Sequence, residues 1–237
     1  MGGYRKQPVL KGLSHTLSPP PRKMEIPWPG MMYSADRHIW NIRMGNGPML
    51  NKQPEIVVFA GPNGSGKSTF TTPQWIKGTY INADDITREL SITNLEAAIR
   101  ADELREKLIR CGATFTFETV LSRPDKLDFL QRAKESGYFI RGYFVLTCDP
   151  NLNAARVQAR VHDGGHDVPK EAIIRRYKKS LENIPRFVRI CDICHVYDNT
   201  VEPFRLCRKH KDSITLFESE LWPYEKINKL IFGDGER

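Results

Sequence analysis

Residues 61–68 carry the clearest chemical signal in the sequence. They read Gly-Pro-Asn-Gly-Ser-Gly-Lys-Ser and match the phosphate-binding loop pattern G-x-x-x-x-G-K-[ST] in full. Glycines let such a loop wrap around a phosphate with its backbone N–H groups pointing inward. The apolar run 56–60 before the loop predicts a buried strand, and the helix predicted over 67–75 adds the positive end of its dipole to the anion site. The stretch therefore predicts a nucleoside triphosphate site.

The residues of this loop have separate expected roles. Lys67 can reach the β- and γ-phosphates, and the Ser68 hydroxyl can hold Mg²⁺. Because no guanine-selecting motif is obvious in the sequence, we expect ATP rather than GTP. The other loop residues expected to contact the nucleotide are Gly61, Asn63, Gly64, Ser65, Gly66 and Thr69.

Three acidic residues follow predicted strands near this loop. Asp84 and Asp85 come after the strand predicted over 79–82, and Glu118 comes after the strand predicted over 114–117. Ligands of open α/β sheets bind outside the carboxyl ends of the strands, and a small-molecule kinase needs a carboxylate that accepts the proton of the acceptor hydroxyl. These acids are therefore candidates for the general base and for acceptor binding. The alternative is that they cap the helices that follow.

Arginines are grouped on a predicted pair of helices. Arg156 and Arg160 are four residues apart and share one face of a helix predicted over 150–162. A glycine-containing segment, 164–169, and a second predicted helix, 169–184, follow. Such a unit with arginines on one side is typical of a lid that closes over a nucleotide and covers the transferring phosphoryl group. The alternative is a solvated, charged helix face.

An α/β fold is needed to position these candidates. Short apolar runs alternate with stretches of helical period, which predicts a P-loop kinase-like parallel sheet flanked by helices over residues 53–237. The further strands are predicted over 138–146, 195–198, 204–208 and 214–217, and the further helices over 94–110, 123–136 and 218–231.

Residues 1–52 differ in composition from the rest of the chain. They hold seven of the sixteen prolines, all six methionines, and eight Lys or Arg against two acids. No helical or strand period runs through them, so we predict an irregular basic leader, either partly docked on the kinase domain or an inert tail. Most of the formal net charge of +8 lies in this leader, so composition does not demand a nucleic-acid face on the kinase domain.

The sequence also bears on location. The N-terminus lacks the apolar stretch of a signal peptide, and no run of about 18 apolar residues occurs. The five cysteines are an odd number in a chain too long for a small disulfide scaffold. We therefore expect a cytoplasmic protein with reduced thiols and no membrane partner.

The cysteine spacing offers a competing interpretation. Cys191-x₂-Cys194 followed by Cys207-x₂-His210 has the spacing of a zinc ribbon. Strand residues three apart point to opposite faces, and no glycine follows either cysteine of the first pair to make a turn. We expect buried thiols rather than zinc. A nucleic-acid-binding module with a zinc ribbon remains the alternative function outside the enzymes.

The ordered set of motifs resembles the zeta toxin family over about residues 54–200. Each motif alone is weak, but their order along the chain is specific. The resemblance implies a toxin that uses ATP and Mg²⁺ to phosphorylate the 3′-hydroxyl of the amino sugar in UDP-N-acetylglucosamine or a related UDP-sugar, with an antitoxin as its protein partner. Besides the phosphate-binding loop with Thr69, the motifs are Tyr80-Ile81-Asn82-Ala83-Asp84, Phe117-Glu118-Thr119-Val120-Leu121-Ser122, Arg156-Val157 with Arg160, Gly164-Gly165-His166-Asp167-Val168-Pro169, Arg176-Tyr177, Ser180-Leu181 and Val196-Tyr197-Asp198-Asn199.

The same resemblance implies roles for single residues. Lys67 would be the lysine of the phosphate-binding loop, Asp84 the general base, and Arg160 a contact of the ATP phosphates. Glu118 would hold the sugar nucleotide. The other residues on the substrate side would be Asn82, Thr119 and Ser122.

One departure from the family pattern affects the phosphate contacts. Plasmid-borne relatives have a second phosphate-contacting arginine near the position of His166. Here His166 itself is assigned to the nucleotide site, and Arg156 and Arg176 are the candidates for the missing charge.

The alternative acceptors are another nucleotide sugar, an adenine dinucleotide or a polynucleotide end, whereas nucleic acid is not the expected binding partner.

Overall fold

The computed structural model describes residues 53–162 and 168–233. Within them lies a seven-stranded sheet of order β2-β3-β1-β4-β5-β6-β7. Its strands are β1 (Glu55–Ala60), β2 (Thr79–Ile81), β3 (Phe115–Thr119), β4 (Phe139–Leu146), β5 (Ile193–Asp198), β6 (Phe204–His210) and β7 (Ser213–Leu216). The predicted leader, 1–52, lies outside the described residues.

Helices connect and flank these strands. A single 3₁₀ turn, Pro73–Trp75, follows the first helix. The helices are α1 (Lys67–Phe70), α2 (Ala83–Leu90), α3 (Asn94–Arg110), α4 (Asp125–Glu135), α5 (Pro150–His162), α6 (Lys170–Glu182), α7 (Ile184–Ile190) and α8 (Tyr224–Phe232).

Five strands of the sheet, β1 to β5, run parallel to one another. Their carboxyl ends therefore meet at one edge, and β1 lies between β3 and β4. The loop after β1 is thus at the middle of this edge, where the strand order reverses and where open α/β sheets bind ligands. This arrangement confirms the predicted α/β class.

The last two strands depart from the predicted parallel sheet. β6 pairs antiparallel to β5, and β7 pairs antiparallel to β6. The connections explain the direction, because residues 199–203 and 211–212 are too few for a crossover between parallel strands, which takes a dozen residues or more.

Alternate residues of β1 pack on opposite faces of the sheet. Ile56 and Val58 belong to the main core, whereas Val57 and Phe59 belong to a smaller cluster with Tyr143. All of β1 from Ile56 to Ala60 is at most 1% exposed. This continuous apolar run makes β1 a rigid base for the loop that follows it.

Four helical segments differ from the sequence prediction, and one of them is the last helix, which was expected over 218–231 and begins at Tyr224 after Pro223. The helix expected over 67–75 ends at Phe70, because the residue before Pro73 disfavours helical geometry and the chain continues as the 3₁₀ turn. The helices α2 and α7 were not predicted, although the helix expected over 169–184 ends at the first residue of α7. The side chain of Asn82, which caps α2 by accepting from the Asp84 N–H at 2.9 Å, was the available signal.

Candidate active site

Hydrogen bonds fix four carbonyl groups of the phosphate-binding loop. Two of these bonds come from Lys67 within the loop and two from asparagines outside it. Lys67 Nζ donates to the carbonyl oxygens of Gly61 (2.7 Å) and Pro62 (2.9 Å). Asn153 Nδ2 donates to the carbonyl oxygen of Asn63 (2.7 Å), and Asn199 Nδ2 donates to that of Ser65 (2.8 Å). Because Asn153 and Asn199 hold the Asn63 and Ser65 carbonyls from outside the loop, the N–H groups that follow these carbonyls face the other way, as an anion site requires.

Two polar side-chain atoms of the loop are buried without a protein partner. Within the described part of the chain, Asn63 Oδ1 and Ser65 Oγ make no hydrogen bond, and Ser65 is fully buried. Buried polar atoms are normally paired, so two unpaired ones in this loop are an arrangement that suits a ligand. The loop therefore fits a bound nucleotide phosphate chain.

Charged side chains converge on the Lys67 ammonium. Burial lowers the pKa of Lys67 to about 8, while the nearby Glu118 and Asp84 carboxylates act to raise it and the Arg160 guanidinium acts to lower it. These four residues come from the loop, the end of β3, the start of α2 and the last turns of α5. The structure thus brings together the three residues predicted to be catalytic, Lys67, Asp84 and Arg160, with the predicted substrate residue Glu118.

The two neighbouring aspartates of α2 have different surroundings. Asp85 forms an ion pair with Arg88 one turn later on the same helix. Asp84 is exposed, and its carboxylate has no hydrogen-bond or ion-pair partner among the described residues. Since Asn82 rather than either acid caps the helix, Asp84 is left available for an acceptor molecule.

Glu118 is oriented by Tyr80. The Tyr80 hydroxyl donates to Glu118 Oε1 at 2.6 Å and accepts from Asn82 Nδ2 at 3.2 Å. Burial and the Glu118 charge raise the pKa of Tyr80 well above its usual value, so the phenol stays protonated and remains a donor. The predicted substrate residues Asn82 and Glu118 therefore belong to one network with Tyr80 at its centre.

The turn after β3 carries the remaining predicted substrate residues. Thr119 accepts from the Leu121 N–H at 3.1 Å through its hydroxyl and from the Gly61 N–H at 3.1 Å through its carbonyl. Leu121 has a left-handed backbone, with φ at 55°, which is unusual for a residue other than glycine. Ser122, next in sequence, is half-buried. Thr119 thus links this turn directly to the phosphate-binding loop.

The two arginines of α5 have different environments. Arg160 is exposed and acts electrostatically on Lys67. Arg156 is half-buried and donates to the carbonyl oxygens of Asn199 (2.9 Å) and Thr200 (3.0 Å). These two bonds use two of the five N–H donors of Arg156, whose phosphate contact stays a prediction. Arg176 is exposed on α6, and the remaining predicted nucleotide residue, His166, lies outside the described residues.

Comparison with known proteins decides the family. The model of the Zeta toxin family matches residues 79–220, which is more than half of the 237-residue chain. The chain belongs to the Zeta toxin family. The matched region begins after the phosphate-binding loop, so the loop at 61–68 is an independent feature that agrees with it. Together they make this Zeta toxin family member a P-loop kinase-type enzyme.

One relative and two solved structures are similar to this chain. An uncharacterized protein of Haemophilus influenzae is 28% identical over 131 residues, which cover 53% of this chain and 94% of that protein. A chain of the AvrRxo1-ORF1:AvrRxo1-ORF2 complex, determined with ATP, superposes with a TM-score of 0.61 at 18% identity, covering 79% of this chain and 67% of that one. A chain of the PezAT chromosomal toxin-antitoxin system of Streptococcus pneumoniae gives a TM-score of 0.51 at 17% identity, covering 81% and 84%. At these identities the structures support the fold.

Three residues near the Zeta toxin site were not singled out by sequence reasoning. Asn153 and Asn199 bind the phosphate-binding loop, and Tyr80 orients Glu118. The asparagines lie 90 and 134 residues from their partners, so no local pattern marks their role. Tyr80 and Asn199 do lie within the motifs that resemble the family, which was the available signal.

The cysteines of the suspected zinc ribbon lie away from this site. Cys191, Cys194 and Cys207 are fully buried in the main core, and His210 is exposed at the end of β6. Cys191 lies at the end of α7 rather than in a strand, and a hydrogen bond joins it to Cys194. Burial raises the pKa of Cys194 and Cys207, which keeps these thiols protonated. In the described part of the chain, no group of three or more His, Cys, Asp or Glu side chains is arranged to hold a metal.

Proposed function

We propose that this Zeta toxin family member transfers the γ-phosphoryl group of ATP to a hydroxyl of a nucleotide sugar, with UDP-N-acetylglucosamine or a related UDP-sugar as the acceptor. The observation that carries the proposal is the convergence of Asp84, Glu118 and Arg160 on Lys67 at the phosphate-binding loop. Phosphoryl transfer needs positive charge on the phosphates and a proton acceptor beside the attacking oxygen, and this group of residues offers both.

The transfer step uses these residues in separate roles. The acceptor oxygen attacks the γ-phosphorus, the bond from that phosphorus to the β–γ bridging oxygen breaks, and ADP leaves. The acceptor proton goes to the unpaired carboxylate of Asp84. Lys67 and Arg160 stabilise the negative charge that spreads over the phosphoryl oxygens.

Acceptor binding is assigned to the turn after β3 and the start of α2. Glu118, fixed by Tyr80 at 2.6 Å, accepts hydrogen bonds from acceptor hydroxyls. Asn82, Thr119 and Ser122 contribute amide and hydroxyl groups of the kind that recognise sugars. The carboxyl ends of β2, β3 and β1 meet at one edge of the sheet, which supports an acceptor site beside the phosphate-binding loop.

The phosphate-binding loop also fits a magnesium ion. The Ser68 hydroxyl is exposed at the start of α1 and makes no hydrogen bond to another described residue. A hydroxyl, phosphate oxygens and water form the oxygen set that Mg²⁺ prefers. Bound Mg²⁺ would supply positive charge to the β- and γ-phosphates.

The same proposal extends to the biological setting. The PezAT structure is that of a toxin-antitoxin system, and by analogy this chain acts as a toxin controlled by an antitoxin protein. Among the described residues, none of the helices is long and apolar enough to cross a membrane. We place the reaction in the cytoplasm, where ATP and nucleotide sugars occur.

The acceptor can be tested with a panel of defined compounds. Purified protein is incubated with ATP labelled at the γ-phosphate and with UDP-N-acetylglucosamine, UDP-glucose, an adenine dinucleotide or an oligonucleotide with a free 5′-hydroxyl. We expect label to move to UDP-N-acetylglucosamine, or to UDP-glucose as a related UDP-sugar, and not to the dinucleotide or the oligonucleotide, and we expect no transfer by the Lys67→Ala variant.

Other outcomes of the panel would change the proposal in defined ways. Transfer to the dinucleotide or the oligonucleotide alone would keep the kinase and overturn the UDP-sugar acceptor. Equal transfer by wild type and folded Lys67→Ala would overturn the role of the phosphate-binding loop.

A further inference from the structure

Two asparagines that are distant from the phosphate-binding loop in sequence donate hydrogen bonds to it. Asn153 lies on α5 and is fully buried, and its Nδ2 donates to the Asn63 carbonyl at 2.7 Å. Asn199 follows β5, and its Nδ2 donates to the Ser65 carbonyl at 2.8 Å. Each bond fixes the orientation of one peptide unit of the loop.

Because the peptide bond is planar, fixing the direction of a carbonyl group also fixes the direction of the N–H group that follows it. The described residues contain no cis peptide bond, and in a planar trans peptide the C=O and the following N–H point in opposite directions. The backbone carbonyl of Asn63 points towards Asn153 on α5, so the Gly64 N–H points away from α5. In the same way, the Ser65 carbonyl held by Asn199 aims the Gly66 N–H to the opposite side.

These two N–H groups are free to bind a ligand. Among the described residues, neither the Gly64 nor the Gly66 N–H has a hydrogen-bond acceptor. Backbone N–H groups that are left unpaired in such a loop form an anion site, and the Ser65 N–H between them is taken by the Pro62 carbonyl. The direction of both groups thus depends on side chains outside the loop.

Close packing shows why glycine stands at both positions. Gly64 and Gly66 have left-handed backbones, with φ at 74° and 88°. A Cβ added to Gly64 would overlap the Asn153 carbonyl oxygen, and one added to Gly66 would overlap Asn199 Nδ2. The two asparagines can reach their carbonyls only because these positions carry no side chain.

Further bonds fix the asparagines themselves. Thr147 donates through its hydroxyl to Asn153 Oδ1. The Asn199 N–H donates to the Leu146 carbonyl at 2.7 Å, and its carbonyl accepts from Arg156 of α5 at 2.9 Å. Both asparagines are therefore held by the end of β4 or by α5, which makes the arrangement rigid before a ligand binds.

We infer that Asn153 and Asn199 are positioning residues, which aim the N–H groups of Gly64 and Gly66 at the ATP phosphates, with Arg156 locking Asn199 in place. This inference rests on the proposed function only in taking ATP as the ligand. It assigns to Arg156 an indirect action through Asn199 on the Ser65–Gly66 peptide.

The inference predicts a residue-specific pairing that NMR can detect. In ¹⁵N-labelled full-length protein, titration with ATP and with inorganic tripolyphosphate should shift the amide signals of Gly64 and Gly66. Asn153→Ala should reduce the shift of Gly64 more than that of Gly66, and Asn199→Ala should do the reverse. A general loosening of the fold would affect both glycines alike.

Affinity gives a second readout. We expect the dissociation constants of ATP and tripolyphosphate to rise about 10- to 100-fold in either variant, by analogy with the loss of residues that orient the ligands of a metal ion. Gln53→Ala is the control, because Gln53 Nε2 also donates to a backbone carbonyl, that of Gly137 at 3.0 Å, but at the amino ends of β1 and β4, away from the loop. It should change the ATP dissociation constant less than twofold.

The outcomes separate the inference from the proposed function. If wild type binds ATP and both folded asparagine variants bind it equally well, the positioning roles are wrong. If both glycines lose their shifts equally in each variant, the specific pairing is wrong. Should an alanine variant fail to fold, Asn→Ser at the same position replaces it and must show the same glycine preference. If wild type binds neither ATP nor tripolyphosphate, the proposed function fails first.

Discussion

The lowered pKa of Lys67 predicts that ATP affinity falls as pH rises through about 8. In the free protein, burial disfavours the Lys67 ammonium, so the charged form is lost above that pH. Bound phosphates favour the ammonium, so ATP binding must restore the lost proton. Binding therefore becomes weaker with rising pH, and it takes up a proton above pH 8.

The size of this effect follows from the ionised fraction. With the pKa at about 8, about 90% of the free protein carries the ammonium at pH 7 and about 10% at pH 9. If the bound state keeps the ammonium throughout, the dissociation constant of ATP should be about tenfold larger at pH 9 than at pH 7. Isothermal titration at several pH values, in two buffers of different ionisation enthalpy, measures both the affinity and the proton uptake.

Lys67→Arg is the control, since a guanidinium does not titrate in this range. Its ATP affinity can differ from that of wild type at pH 7, but it should stay constant to pH 9. An ATP affinity of the wild type that does not change between pH 7 and pH 9 would refute the reasoning. An equal pH dependence in Lys67→Arg would assign the proton to another group.

The remaining predictions concern the acceptor side, the metal content and the leader. Asp84→Asn should cut turnover by about 10²–10⁴ with ATP affinity unchanged, because it removes the proton acceptor; Asp85→Asn should do less, and a larger loss there would move the base by one residue. Tyr80→Phe removes the donor to Glu118 and should raise the acceptor KM while leaving ATP binding intact, so an unchanged acceptor KM would count against its orienting role. Elemental analysis of protein purified without a metal-affinity step should find well under one zinc per chain. One equivalent of zinc that is lost on mutation of Cys191 would support the zinc-ribbon interpretation instead. Deletion of residues 1–50 should leave a soluble kinase domain, and aggregation would show that the leader is packed structure.

Local sequence patterns predicted the features that local physics determines. The phosphate-binding loop needs glycines and a lysine at fixed spacing, and the strand before it needs only an apolar run, so both were found. The helix α3 was predicted over its observed range, Asn94–Arg110, because it is long and periodic. Short elements such as α2 carry too few residues for a clear period.

Features that depend on distant residues could not be predicted in the same way. Arg156 was assigned to phosphate from its helical spacing with Arg160, but that spacing does not reveal the carbonyl groups of Asn199 and Thr200 that bind it. Likewise, the hydrogen bonds of Asn153 and Asn199 to the loop depend on how β4, α5 and β5 pack. The roles of Asp84 and Glu118 remain predictions, to which the structure adds their closeness to Lys67.

The central claim is that the γ-phosphoryl group of ATP goes to a small-molecule hydroxyl. The most direct measurement is mass spectrometry of a metabolite extract incubated with the protein and with ATP carrying ¹⁸O in its γ-phosphate. We predict one class of product, a UDP-amino sugar that has gained a labelled phosphoryl group, formed by wild type and absent with Lys67→Ala. Consumption of ATP that yields only labelled inorganic phosphate, or no consumption in the presence of the whole extract, would contradict the claim.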